Sequence, residues 1–174
     1  MSHANEPFHP HIPASRNVRE LSVRAVLLGL AFGFIFAIAN AYLGLKIGTT
    51  ISASIPAAVM SMAFLRIFCK NATILENNIV QTIATVGEGL AAGVVFTIPA
   101  LILLGERISI TKIFLLASLG GVLGILLMIP MRRFIIVHEH KKLPFPEGTA
   151  CALILKAGEK TQKSDWQNGK GEYF

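Results

Sequence analysis

One stretch, residues Thr73 to Gly105, limits the folds open to this chain more than any other. From Ile83 to Leu104 almost every residue is apolar or small, which matches the roughly 20 residues that an α-helix needs to cross a membrane. The residues before this run are polar, yet Thr73 followed by Glu76 has the spacing of a capping box, which marks a helix start. The sequence therefore predicts one helix that begins in a polar segment and continues across a bilayer.

The polar residues of this predicted helix form a stripe. They share one face, because they follow one another at steps of four, four and three: Asn77, Gln81, Thr85 and Glu88. Such a stripe would be costly against lipid, so we expect it to face other helices or a water-filled cavity. Its members are therefore candidates for lining a path through the membrane.

Glu88 is the candidate for proton coupling. It lies inside the apolar run, where an ionised carboxylate is costly, and we expect it to take up and release protons near neutral pH. Two alternatives stay open. Glu88 could remain a neutral acid that bonds a backbone carbonyl and holds two helices together, or it could bind a substrate amine directly.

Composition indicates an integral membrane protein. Of the 174 residues, 53% are hydrophobic and 15% are charged, whereas soluble domains are about 25% charged. The formal net charge of +6 comes from cations beside the apolar runs, which indicates membrane topology and argues against nucleic-acid binding. Cys69 and Cys151 lie far apart and are expected to be reduced structural thiols. No metal site or other cofactor is predicted.

The apolar runs predict an all-α, polytopic transmembrane helix bundle. It has about four spans, near residues 23–45, 51–68, 74–104 and 113–129, and a re-entrant or truncated fifth segment up to residue 155. The expected organisation is a cytoplasmic polar leader at 1–21, an incomplete transmembrane region at 22–155 and a polar, disordered tail at 156–174. Most cations fall on one side of these spans, so both termini are expected in the cytoplasm.

Small residues indicate where the helices pack. Gly29 and Gly33 begin a small-residue stripe on the first span, and Gly121 and Gly124 belong to another on the fourth. Asn40, near the end of the first span, could bond a neighbouring helix or contact substrate.

The first two spans are separated by a short glycine-containing stretch, residues 44–50. It predicts either a tight hairpin, which we favour, or an unwound stretch at membrane depth of the kind found in transporter binding sites. Pro56 is expected to kink the second span. Glu147, after two prolines, could present its carboxylate to a ligand or simply lie in a solvated turn.

Three stretches together resemble the oligopeptide transporter (OPT) family. They are NAYLGLKIGTTISASIPAAV (Asn40 to Val59), ILENNIVQTIATVGEGLAAGVVFTIPAL (Ile74 to Leu101) and LPFPEGTACA (Leu143 to Ala152). These motifs are similar to those of the bacterial and yellow-stripe-like branch of the family. The resemblance implies proton-coupled uptake of short peptides or peptide-like metal chelates by a lipid-embedded bundle in the cell membrane, the inner membrane in a bacterium.

The family's members run to several hundred residues, so we expect this chain to be an amino-terminal fragment of a transporter. The alternative is a small membrane scaffold or regulatory protein that forms a helical oligomer without transport activity. An enzyme is disfavoured, because paired cysteines and an intramembrane histidine–acid cluster are missing from the sequence.

Overall fold

The computed structural model describes residues 11–13, 15, 17–69, 72–138 and 144–167, with side chains described as far as residues 136 and 160 in the last two ranges. Across these ranges the chain is helical and contains no strand, which confirms the all-α prediction. The elements in order are α1 (Val23–Ile47), α2 (Ser54–Phe68), α3 (Ile74–Leu103), α4 (Ile110–Arg132), a π-helical turn (Arg133–His138) and α5 (Pro146–Gln167). Residues 1–10 of the predicted leader and 168–174 of the predicted tail lie outside the described ranges.

The described residues divide into two compact units. The first contains residues 18–96 and 146–167, and so includes α1, α2, most of α3, and α5. The second contains residues 97–138, with α4 and the π-helical turn, together with 144–145 and the described residues before 18.

Three helical segments are long and apolar enough to cross a membrane: Val23–Ile47, Ile74–Leu103 and Ile110–Ile136. Helix α2 has only 15 residues. At about 1.5 Å per residue it is roughly 22 Å long, which is short of a hydrocarbon core of about 30 Å. Among the described residues there are thus three helices of membrane-spanning length and one shorter apolar helix, which begins at Ser54 because residues 51–53 are not helical.

Helix α1 has a definite cap at each end. Ser22 accepts a hydrogen bond from the backbone N–H of Ala25 at 3.3 Å, as an N-cap serine does. Gly48 ends the helix with φ of 76°, a left-handed conformation that favours glycine, and its N–H donates to the carbonyl of Gly44 at 3.0 Å. The chain leaves the helix at this glycine.

Helices α1 and α2 form an antiparallel hairpin, as the sequence favours. Phe32 of α1 meets Phe64 of α2 edge-on at 5.1 Å between ring centroids, while Asn40, further along α1, contacts Ile51 before α2 begins. The buried apolar core of this unit comprises Ala25, Phe32, Ala57, Leu65, Val80 and Ala84. Pro56 falls in the first turn of α2, where a missing N–H costs nothing, so it marks a helix start in place of the expected kink.

Helices α1 and α3 run parallel and touch through small residues. A Cβ placed on Gly87 would lie 2.7 Å from the carbonyl carbon and 2.8 Å from the Cα of Gly33. A Cβ on Gly29 would lie 2.9 Å from the Cβ of Ile83. The two backbones can approach this closely because neither Gly33 nor Gly87 carries a side chain.

The predicted capping box at the start of α3 is confirmed. The N–H of Glu76 donates to the Thr73 hydroxyl at 3.1 Å, and the N–H of Thr73 donates to the Glu76 carboxylate at 3.2 Å. The same carboxylate accepts two hydrogen bonds from Arg24 of α1, from Nη2 at 2.8 Å and from Nε at 3.1 Å. Glu76 is fully buried and so ties the first turns of α1 and α3 together.

Helix α4 has no buried residue among those described. Ser109 caps its first turn, and the helix continues through Pro130, beyond residue 129 where the fourth span was predicted to end. A proline inside a membrane helix is tolerated when the freed carbonyl is satisfied by local adjustment, and a π-helical turn follows directly. Gly121 and Gly124 have no atom within 4 Å of an added Cβ, so their packing role stays a prediction.

Helix α5 extends to Gln167, beyond residue 156 where the disordered tail was expected to begin. Lysine, glutamate, glutamine and alanine dominate this extension, and they are good helix formers despite their polarity. Cys151 and Leu155 are buried. The helix is not apolar enough to count as a membrane span.

Candidate functional site

The connection between α1 and α2 is the centre of the candidate site. Residues 49–53, hereafter the connecting segment, are not helical, so their backbone groups lack the internal hydrogen bonds of a helix. Side chains from α1 and α3 supply partners for backbone groups of this segment, and a side chain from α5 bonds one of its hydroxyls. Three of the residues singled out in the sequence converge here: Asn40, Glu88 and Glu147.

Asn40 of α1 holds the segment at Ile51. Its side-chain amide donates to the carbonyl of Ile51 at 3.1 Å, and its amide oxygen accepts from the N–H of the same residue at 3.2 Å. Asn40 is 3% exposed. One buried amide thus satisfies both backbone groups of a non-helical residue.

Glu88 of α3 holds the next part of the segment. Its carboxylate accepts a hydrogen bond from the N–H of Ala53 at 2.7 Å, and the residue is 8% exposed. Ala53 is the N-cap of α2, and its methyl side chain provides no capping bond. Glu88 therefore acts as a cap from another helix, at the end of α2 where the helix dipole favours negative charge.

Glu147, in the first turn of α5, reaches the same place from a third direction. The hydroxyl of Ser52 donates to its carboxylate, and the hydroxyls of Ser52 and Ser54 lie 3.1 Å apart. These hydrogen bonds, first from Ser52 and then from Ser54, hold the pKa of Glu147 below its ordinary value. Glu147 itself is exposed.

The remaining polar residues of α3 lie between the start of the helix and Glu88, and none of their hydrogen bonds within the described ranges reaches the connecting segment. Asn77 is 7% exposed and donates to the carbonyl of Thr73 at 3.2 Å, while its Oδ1 has no hydrogen-bond partner among the described residues. Gln81 donates to the Thr85 hydroxyl at 3.3 Å and lies 3.9 Å from Sγ of Cys151 on α5. The stripe thus meets α5 at Gln81.

A groove of about 620 Å³ lies elsewhere in this unit, between α1 and α3. Gly33 and Gly87 are among its lining residues, and the others are alanines and large aliphatic or aromatic residues. None of the side chains that hold the connecting segment lines it. The groove and the polar site are therefore separate features.

Sequence reasoning missed several members of the site. Ser52, Ser54 and the backbone of Ile51 and Ala53 were assigned to the apolar second span or its edge. One signal was available: serines followed by Pro56 are typical of a helix N-terminus. That signal would have moved the start of α2 to Ser54 and left the residues before it free to bind side chains.

This arrangement offers non-helical backbone, two carboxylates and the N-terminus of a helix in one place. The profile of the family described as "OPT oligopeptide transporter protein" matches residues 20–172, which is most of the chain. The chain belongs to the OPT oligopeptide transporter family. The connecting segment and the residues that hold it therefore form part of an OPT family fold.

Two curated OPT relatives carry the name "Putative oligopeptide transporter". One, from Haemophilus influenzae, is 48% identical over 119 residues, which cover 67% of this chain and 18% of the relative. The other, from Saccharomyces cerevisiae, is 30% identical over 159 residues, which cover 79% of this chain and 22% of the relative. The chain thus spans about a fifth of the length of these two relatives. No solved structure matches the chain.

Proposed function

We propose that this chain supplies part of the substrate path of a secondary transporter that carries short oligopeptides or peptide-like metal chelates together with protons. Family membership and the names of two relatives support oligopeptide transport as the activity of the whole protein. Membership of a transporter family also points to transport rather than catalysis.

The placement of the path rests on one observation. The connecting segment is held by the buried side chains of Asn40 and Glu88, and it precedes α2, a helix too short to span a bilayer. Non-helical backbone at membrane depth is tolerated where it is buried in protein or lines a cavity. Transporter binding sites are typically lined by non-helical backbone between helical segments. Asn40, Glu88 and Glu147 are the residues we place beside the path, and Asn77, Gln81 and Thr85 continue it along α3.

Glu88 is the proposed proton carrier. It is a buried carboxylate on a membrane-length helix, and its hydrogen bond to Ala53 joins it directly to the connecting segment. A carboxylate whose charge stabilises a neighbouring helix end couples protonation to the position of that helix. The orientation proposed for the transporter places both ends of this chain in the cytoplasm.

A chimera tests the proposal. The matched part of the Haemophilus influenzae relative is replaced by this chain, and cells that express the chimera receive labelled tripeptides or labelled iron chelates under an imposed pH gradient. We expect accumulation of one substrate class, and loss of pH-driven accumulation in Glu88→Gln, which keeps hydrogen bonding but cannot titrate. Accumulation by Glu88→Gln with the same pH dependence would exclude the coupling role. The unaltered relative is the positive control.

The chimera and the chain on its own also test the alternative that this protein is a membrane scaffold. A scaffold that forms a helical oligomer predicts a stable, uniform assembly of this chain alone in detergent and no uptake by the chimera. A chimera that transports, and a chain that forms no defined oligomer on its own, would dismiss the scaffold.

A further inference from the structure

We propose that Glu88 is a proton-operated clasp on the first turn of α2. When ionised, it holds the N–H of Ala53 and keeps the start of α2 docked; when protonated, it releases that turn while Ile51 stays anchored. The inference deepens the proposed transport function, because it describes how a proton would open the segment that we place beside the substrate path.

The first support is the dependence of α2 on a partner for its cap. Ala53 has no capping side chain, Pro56 contributes no N–H to the first turn, and the hydroxyl of Ser52 accepts from the N–H of Ser54 only at 3.5 Å. The 2.7 Å bond from Ala53 to Glu88 is therefore the shorter of the two side-chain bonds at this end. Its removal leaves the N–H of Ala53 without that partner.

The second support is the charge of the clasp. A hydrogen bond to an ionised carboxylate is about twice as strong as one between neutral groups. The N-terminus of a helix adds a further attraction for negative charge that disappears when the carboxylate takes up a proton. Protonation therefore weakens the bond in two ways, through the lost charge of the acceptor and through the lost attraction of the helix N-terminus. The neutral acid can still accept weakly through its carbonyl oxygen.

The third support is that the neighbouring anchor does not titrate. Asn40 holds both backbone groups of Ile51, and an amide keeps its hydrogen bonds at any physiological pH. The segment is thus fixed at Ile51, bonded to Glu147 through the hydroxyl of Ser52, and held at Ala53 only while Glu88 is charged. This difference makes Ile51 and Ser52 the pivot about which the first turn of α2 moves.

The other titratable and charged groups on the helices packed around Glu88 have surroundings of their own. On α5, Glu147 bonds Ser52 and has a pKa below its ordinary value, so it stays ionised in mildly acidic buffer, and Cys151 has a pKa raised by burial. On α1, Arg24 pairs with Glu76 near one end of the helix, and Lys46 is exposed at the other and bonds Tyr42. On α2, Arg66 lies in the last turn, away from Ala53.

A nitroxide label on the connecting segment tests the clasp in the full chain. Thr49 is exposed and is replaced by cysteine for labelling, in a background where Cys69 and Cys151 are serine. Spectra of the label are recorded in detergent between pH 7.5 and pH 4.5, with no substrate present. We expect the mobile fraction to rise several-fold as the pH falls.

Three variants separate the clasp from other causes. Glu88→Gln can still accept from Ala53 but cannot titrate, so its mobile fraction should not change with pH. Glu88→Ala should be mobile throughout, and Glu147→Gln should keep the acid response of the parent. An acid response that survives in Glu88→Gln, or a segment in Glu88→Ala as immobile as the parent at pH 7.5, would overturn the proposal. If Glu88→Ala does not fold, Glu88→Gln alone decides.

The clasp and the transport function can fail separately. An acid response of the label together with a chimera that does not transport would refute the transport role and leave the clasp in place. Transport by the chimera without any acid response of the label would refute the clasp alone.

Discussion

Arg24 of α1 donates two hydrogen bonds to the carboxylate of Glu76, which is fully buried at the start of α3. The two partners are not equally enclosed, because the Arg24 side chain is 33% exposed. Water can therefore reach the arginine if its partner is removed, whereas the glutamate has no such replacement.

Because Arg24 is more exposed than Glu76, mutation of the two residues should lower the free energy of unfolding by different amounts. Arg24→Gln leaves a buried carboxylate without its cation and should cost about 3 kcal/mol of unfolding free energy. Glu76→Gln leaves a partly hydrated arginine and keeps an oxygen for the Thr73 N–H, so it should cost about 1 kcal/mol. Thermal unfolding midpoints in detergent measure both. Equal losses, or a larger loss in Glu76→Gln, would contradict the inequality.

The contact between Gly33 and Gly87 predicts that Gly87→Ala is destabilising. The added methyl would meet the backbone of Gly33, which cannot move aside without separating α1 from α3, so we expect a loss of about 2 kcal/mol. Gly89→Ala is the matched control on the same helix, because nothing lies within 4 Å of its added methyl. That control should be neutral or stabilise by up to about 0.8 kcal/mol through helix propensity. Identical midpoints for the two variants would show that α1 and α3 do not meet at Gly87.

Asn40 should be essential for the connecting segment. Asn40→Ala leaves the N–H and C=O of Ile51 without partners, at a cost of about 1–3 kcal/mol for each group that stays buried. Asn40→Asp keeps the acceptor for the N–H but sets a carboxylate oxygen against the carbonyl, so it should also destabilise. Asn78→Ala, at an exposed position of α3, should change the midpoint by less than about 0.5 kcal/mol. A change in Asn40→Ala as small as that of Asn78→Ala would rule out an anchoring role.

The low pKa of Glu147 predicts that the protein loses stability in acid. Its folded pKa lies below the ordinary value of 4.5, so its contribution is fully present above 4.5 and is lost as the pH falls through the folded pKa. Because the group is exposed, we expect a modest fall of the unfolding midpoint below about pH 4. Ser52→Ala removes the largest cause of the low pKa and should flatten that fall. If the unfolding midpoint of Ser52→Ala falls by the same amount in acid, the hydrogen bond from Ser52 does not cause the low pKa of Glu147.

The orientation predicted from the cations can be tested with impermeant thiol reagents on intact cells. In a chain without Cys69 and Cys151, a cysteine at Glu106 in the exposed loop before α4 should react. A cysteine at Ser15 should react only after the membrane is permeabilised. The reverse pattern would invert the topology.

Local patterns in this sequence predicted local structure well. The capping box of Thr73 and Glu76 lies within one turn, and a helical period is enough to place Asn77, Gln81, Thr85 and Glu88 on one face. The all-α fold followed for the same reason, since long apolar runs leave few alternatives in a membrane.

What the sequence did not reveal depends on contacts between distant residues. Glu88 lies 35 positions from Ala53, and Glu147 lies 95 positions from Ser52. No period in a sequence specifies which backbone group a distant carboxylate will meet. For the same reason the apolar residues before Ser54 were taken as helix, although their backbone is held by side chains from elsewhere.

The cap on α2 has a consequence for how the protein is made. The helix is synthesised before the residue that completes its first turn, because Glu88 emerges from the ribosome after the whole of α2. With 15 residues, α2 is also shorter than the roughly 20 that insert readily as an independent span. We therefore expect α2 to integrate into the membrane together with α3, so that the two helices leave the translocation channel as a pair.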